Sequence, residues 1–256
     1  MEKQRNDPVL EMKGISKHFP GVLALNDVQF RLNAGKVHAL MGENGAGKST
    51  LMRILAGIIQ PDKGEIVYHG KPIRFQVPKE ALNQGIAMIH QELSPILDMS
   101  IAENLFLGRE YLKDKSRLID HRQMKKEARV YLKEVGMDLD PDLLMRQLTV
   151  SQMQMVEIAK ALAYNSQIII MDEPTASITP AEVEKLFSII RKLKESGRCI
   201  IYITHKLDEV FAISDEITVF RDGRYIGTYD TKDMDERKLI KLMVDRDLEE
   251  IYPKRH

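Results

Sequence analysis

The sequence has little cysteine, no net charge and no long apolar run, and each of these closes off a class of protein. Of its 256 residues only Cys199 is a cysteine, so no internal disulfide can form and a reducing compartment fits. It sits in the apolar run CIIYI, which marks packing rather than a reactive thiol. Lys plus Arg, 38, equals Asp plus Glu, 38. No overall field therefore draws the chain to nucleic acid or to an acidic membrane. No apolar run approaches the ~20 residues of a membrane span, and the polar opening MEKQRND carries no signal-peptide pattern. Internal repeats and low-complexity segments are absent too. What remains, 43% hydrophobic and 30% charged, is ordinary globular composition.

What is present is an alternation of strand-length apolar runs with helical patterns, which predicts an α/β fold around a largely parallel sheet. The buried strands are VHALM (37–41), IAMIH (86–90), QIIIM (167–171) and CIIYI (199–203). ITVFRDGRYIGTY (217–229) reads as a hairpin turning at Asp222-Gly223, and the opening third is strand-rich. Residues 99–164 show helical patterns and no convincing strand. In HRQMKKEARVYLKEVG, Met124, Ala128, Tyr131 and Val135 share one face.

After VHALM comes GENGAGKST, residues 42–50, and then the helical LMRILAG. This is G-x-x-x-x-G-K-[ST] in a strand–loop–helix setting. Gly42, Gly45 and Gly47 permit the turn that points backbone N–H groups inward at phosphate oxygens, with Glu43, Asn44 and Ala46 completing the cradle. Lys48 brings positive charge to the β- and γ-phosphates, the Ser49 hydroxyl can ligate Mg²⁺, and Thr50 supports the α-phosphate. A dinucleotide fingerprint fits worse, because Thr50 stands where its third glycine belongs. The loop predicts a nucleoside triphosphate site.

The run QIIIMDEP ends its strand on Asp172 and Glu173. Asp172 suits a water-mediated Mg²⁺ contact opposite Ser49, and Glu173 suits polarisation of an attacking water. LTVSQMQMVEIAKAL (148–162) begins as a capping box, Thr149 to Gln152, and enters an amphipathic helix. Such a start also binds anions, and nothing in the stretch separates the two uses.

Together, GENGAGKST, the glutamine of IHQEL, LTVSQMQ, IIIMDEP and the histidine of YITH resemble the nucleotide-binding domain of ABC transporters, over nearly the whole chain. Within that family the sequence is similar to the sugar importer ATPases for ribose, arabinose and galactose. The resemblance implies a P-loop NTPase core over 1–98 and 165–256, with a strand-rich antiparallel N-terminal portion and a helical subdomain inserted over 99–164. It implies ATP and Mg²⁺ as ligands, a second nucleotide-binding domain as partner, membrane permease subunits and, indirectly, a sugar-binding protein. The location implied is cytoplasmic, peripheral on the inner face of the plasma membrane. The permease contact is expected around Gln91 to Leu107, where packing on the domain is an equal reading.

By the same resemblance Phe19 stacks on adenine, with ordinary strand packing as the competing reading. Gln91 reaches Mg²⁺ or the attacking water, and His205 contacts the γ-phosphate. Thr149, Ser151 and Gln152 cover the γ-phosphate of a facing domain rather than their own. Thr149-Val150-Ser151 replaces the usual Ser-Gly-Gly, however, and side chains at the glycine positions hinder close approach to phosphate. Thr179 stands where many relatives have aspartate; Thr179-Pro180-Ala181-Glu182 reads first as a helix cap, with Val183, Leu186, Phe187 and Ile190 on the core face that follows.

Sugar importer ATPases of this type carry two such halves, so the chain is expected to be an N-terminal half with its link to the second beyond PKRH. Two other functions remain: a regulatory half with little turnover, and a non-transport ABC ATPase. Zinc cysteines or a basic stripe would mark the latter, and a small GTPase would carry Asn-Lys-x-Asp; neither pattern is present.

Overall fold

The computed structural model describes residues 8–113 and 118–244; MEKQRND and PKRH lie outside them. Ten strands lie among the described residues: β1 (Leu10–Phe19), β2 (Val22–Leu32), β3 (Val37–Met41), β4 (Lys63–Tyr68), β5 (Lys71–Ile73), β6 (Ile86–Ile89), β7 (Ile168–Asp172), β8 (Cys199–Ile203), β9 (Glu216–Arg221) and β10 (Arg224–Asp230). The opening third forms a four-stranded antiparallel sheet in the order β2-β1-β4-β5. The second sheet has the order β10-β9-β3-β8-β7-β6. Its strands are parallel except β10, which returns antiparallel along β9.

The predicted hairpin is β9–β10. Its turn residues Asp222 and Gly223 have φ of 50° and 70°, the pair of positive values that a two-residue type I′ turn needs.

Every residue of β3, β7 and β8 is buried, because both faces of the parallel sheet are covered. Side chains alternate between those faces. Ile168 and Ile170 pack with Leu10, Met12 and Phe30 of the antiparallel sheet. Ile169 and Met171 pack against the helical side of the molecule.

The helices are α1 (Lys48–Leu55), α2 (Pro78–Asn83), α3 (Ile101–Leu105), α4 (His121–Glu134), α5 (Val150–Ala163), α6 (Pro180–Glu195), α7 (Leu207–Ile213) and α8 (Glu236–Val244). Residues 99–164 hold α3 to α5 and a 3-10 turn, Met145–Gln147. Among the described residues there, strand pairing is limited to two isolated bridges, Ser100 with Leu144 and Leu112 with Ile119. α4 buries Met124, Ala128 and Leu132, with Val135 just past its end, while Tyr131 is only partly covered. These side chains share one apolar cluster with α5, α6 and the sheet face carrying Ile169 and Met171. α6 buries Leu186, Phe187 and Ile190 as its pattern predicts, adds Ile189 and Leu193, and leaves Val183 partly covered. At its start the Glu182 carboxylate accepts from the Thr179 N–H and hydroxyl, each at 2.8 Å.

Candidate functional site

Four loops leave the C-terminal ends of β3, β6, β7 and β8 on one edge of the parallel sheet, where open α/β sheets place their ligands. The first is the phosphate loop. A Cβ at Gly42 would stand 2.3 Å from the Phe220 carbonyl oxygen, and at Gly47 (φ 98°) a Cβ would meet the Ala24 carbonyl at 2.7 Å. The loop is thus clasped between β9 and β2, and only glycine fits those two contacts. Gly47 is also the N-cap of α1 and gives it no side-chain cap bond, so the first-turn N–H groups stay free to bind an anion.

Lys48 is buried, and its ammonium donates to the carbonyls of Gly42 at 2.7 Å and Glu43 at 2.9 Å. Burial lowers its pKa, and the carboxylates of Glu173 and Asp172 pull against that. The Ser49 hydroxyl donates to Asp172 at 3.3 Å. Burial pushes the Asp172 carboxyl above its ordinary range, partly offset by that hydroxyl.

Glu173 has a left-handed backbone at φ 46°, sparsely populated for a residue with a side chain and characteristic of strained functional positions. Its N–H donates to the Ile203 carbonyl at 2.9 Å, which continues the β7–β8 ladder one residue past the strand. One carboxylate oxygen accepts from Gln91 Nε2 at 3.2 Å, and the other lies 3.1 Å from His205 Nδ1. Asn44 to Thr50, Gln91 and Glu173 line one cleft of about 340 Å³. The arrangement can hold a polyphosphate on the loop and aim a carboxylate at a water beside it.

Other predicted residues lie elsewhere. Phe19 ends β1 opposite Val22 and is 41% exposed. The Lys17 ammonium lies 5.6 Å from its ring centre, and the ring does not line the phosphate cleft. Thr149, Ser151 and Gln152 line a separate cleft of about 630 Å³ with Gly136, Met137 and Lys185. The predicted capping box is present: the Thr149 N–H donates to Gln152 Oε1 at 2.9 Å, and the Gln152 N–H donates to Thr149 Oγ1 at 3.2 Å.

Two polar contacts escaped the sequence reading. Gln154, buried on α5, donates to the Pro174 carbonyl at 2.6 Å, joining the capped helix to the Glu173 loop. Glu209 on α7 accepts from Thr175, Tyr202 and Thr204. Its signal was an acid on the apolar face of a short helix, four residues before Ile213, where the pattern expects a hydrophobe.

Residues 25–176 match the ABC transporter family. The chain is 56% identical over 248 residues to a galactose/methyl galactoside import ATP-binding protein of Photobacterium profundum. That alignment covers 97% of this chain and 50% of the relative, so the chain spans about half the length of the curated protein it matches. Among solved structures, a nucleotide-free ATP-binding cassette from an ABC transporter superimposes with a TM-score of 0.80 at 28% identity, covering 94% of this chain and 96% of that one. The ADP conformation of an ATP-binding cassette of an ABC transporter gives 0.79 at 28% identity, covering 97% and 100%.

Proposed function

The chain belongs to the ABC transporter family, and on that premise we propose that it is an ATP-hydrolysing subunit that powers monosaccharide import by an ABC transporter. The carrying observation is Glu173 at the mouth of the phosphate cleft, held between Gln91 and His205. The loop N–H groups and Lys48 bind the β- and γ-phosphates, and the clasp on Gly42 and Gly47 keeps that cradle preformed. Gln91 and His205 fix the direction of the Glu173 carboxylate, which takes a proton from the water lined up on the γ-phosphate. Ser49, Gln91 and Asp172 supply the oxygen donors that suit Mg²⁺, an ion that keeps several of its own waters. When bound, it would neutralise charge developing on the phosphate oxygens.

The capped start of α5 lines a different cleft from the phosphate loop, which supports its facing a second ATPase half. That half is a continuation of the polypeptide or a second copy. In this reading residues 99–164 form a helical subdomain that passes the motion to a membrane permease, placing the chain on the inner face of the plasma membrane. No helix among the described residues is long and apolar enough to cross a membrane. The sugar rests on the name of the relative, and no residue of this chain is assigned to it.

Val150 favours a second reading, a regulatory half with little turnover, because its side chain is 49% exposed at a glycine position of the usual signature. Sedimentation of the Glu173→Gln chain with Mg-ATP and with Mg-ADP, beside phosphate release by the wild type, separates the readings. The proposed ATPase forms an ATP-dependent dimer and releases phosphate. Dimerisation without release in the wild type would favour the regulatory half; no ATP binding at all would end both.

A further inference from the structure

Glu173 and His205 stand on the two loops that follow β7 and β8, beyond the last backbone bond of that ladder, the Glu173 N–H to the Ile203 carbonyl. Their mutual contact does not hold the loops in register. The His205 side chain is 55% exposed, and a contact with one partner so open to water is weak. Something firmer must set the gap between them.

Glu209 lies in the first turn of α7 and is only 3% exposed. One of its carboxylate oxygens accepts from the Thr175 hydroxyl at 2.6 Å and from the Lys206 ammonium at 3.1 Å. The other accepts from the Tyr202 hydroxyl at 2.8 Å and from the Thr204 hydroxyl at 3.0 Å. Lys206 closes the ring by donating to the Thr175 hydroxyl at 3.1 Å. Thr175 follows Glu173 by two residues, while Thr204 and Lys206 flank His205. Three of the four donors thus come from the two loops that carry the reacting groups.

Burial pushes the Glu209 carboxyl up, but the bonds from Thr175, Tyr202 and Lys206 outweigh it and hold the group below its ordinary value. A buried carboxylate so satisfied is rigid, and losing its charge leaves several donors without a partner.

We infer that Glu209 is a positioning residue, a buried tether that fixes the Glu173 loop against the His205 loop. It does not line the phosphate cleft. The inference rests on the reading that Glu173 and His205 act at the γ-phosphate.

The test uses Glu209→Gln in the full chain. Misplacing a reacting group by about 1 Å costs on the order of 100-fold, so kcat should fall by about that factor. The KM and Kd for ATP should stay within about two-fold, because the phosphate loop is untouched. Thr175→Val should lower kcat in the same sense, and Thr175→Ser, which restores the hydroxyl, should recover it. Should Glu209→Gln fail to fold, the Thr175 pair carries the same test.

A second readout needs no turnover. In histidine side-chain NMR spectra the His205 ring resonances should move in Glu173→Gln and again in Glu209→Gln. Adding Glu173→Gln to the Glu209→Gln background should then move them no further. Unchanged kcat, equal losses in kcat, Kd and Tm, or a His205 ring indifferent to Glu209→Gln would overturn the tether. If the wild type binds Mg-ATP and releases no phosphate, the ATPase reading falls and the histidine spectra still decide the tether.

Discussion

Helices α1 and α5 both begin beside a cleft, and they begin in opposite ways. α1 starts at Gly47, with no side chain to cap it and a buried lysine in its first turn. α5 starts at Thr149 and caps itself, exchanging two hydrogen bonds with Gln152. The first start leaves its N–H groups to an outside anion and is held open by neighbours on both sides. The second spends its Gln152 N–H internally and presents Thr149 and Ser151 to a cleft. One is an open helix start in a preformed loop. The other is a stable helix end whose use depends on what faces it.

The largest effect separates the two regions outright. Glu173→Gln should lower phosphate release by about 100- to 10,000-fold, the range for losing a general base, while calorimetry finds ATP still bound. Next comes Gly47→Ala, which places a methyl group 2.7 Å from the Ala24 carbonyl. It should cost about 1–3 kcal/mol in urea unfolding, as overpacking does, and should weaken ATP binding in the same chain. Thr149→Ala should cost about 1 kcal/mol of stability through the lost cap, with the chain's own ATP affinity unchanged. A fall in that affinity would break the comparison, since α5 would then be serving its own phosphate loop.

The smallest effect is a pH dependence at the start of α6, where Glu182 lines the same cleft as Thr149 and Ser151. Glu182 is held below its ordinary range by bonds from the Thr179 N–H and hydroxyl, and Ser151 adds a further hydrogen bond. A depressed carboxyl contributes stability that is fully present above the unfolded value of about 4.3 and is lost as pH falls through the folded one. Melting curves between about pH 6 and pH 3 should therefore show a slightly steeper acid limb in the wild type than in Glu182→Gln.

What could be read in the sequence was mostly local. The phosphate loop, the Asp222-Gly223 turn and the two helix caps each lie within a few residues, and their chemistry is written in adjacent letters. The partners of Glu173 are not local. Gln91 is 82 positions away and His205 is 32. They meet because β6, β7 and β8 are neighbours in the sheet, so family resemblance was needed to pair them. For Phe19, strand packing competes with adenine stacking, and a residue paired with Val22 at a strand end and 41% exposed is compatible with either. Glu209 carries no such local signature, because its hydroxyl partners come from two segments, Thr175 after β7 and Tyr202 with Thr204 at the end of β8, which no spacing rule brings together.

Gly42 rests against Phe220 of the six-stranded sheet, Gly47 against Ala24 of the four-stranded one, and the Asn26 N–H donates across the gap to the Gly223 carbonyl at 2.8 Å. The phosphate loop is therefore the seam between two sheets. Neither sheet alone can shape it, and two of these contacts, Gly42 with Phe220 and Asn26 with Gly223, join residues far apart in sequence, the kind that form late in folding. In a refolding chain, ATP binding should rise after strand and helix signals have returned. The nucleotide then serves as a reporter of the last docking step in assembly.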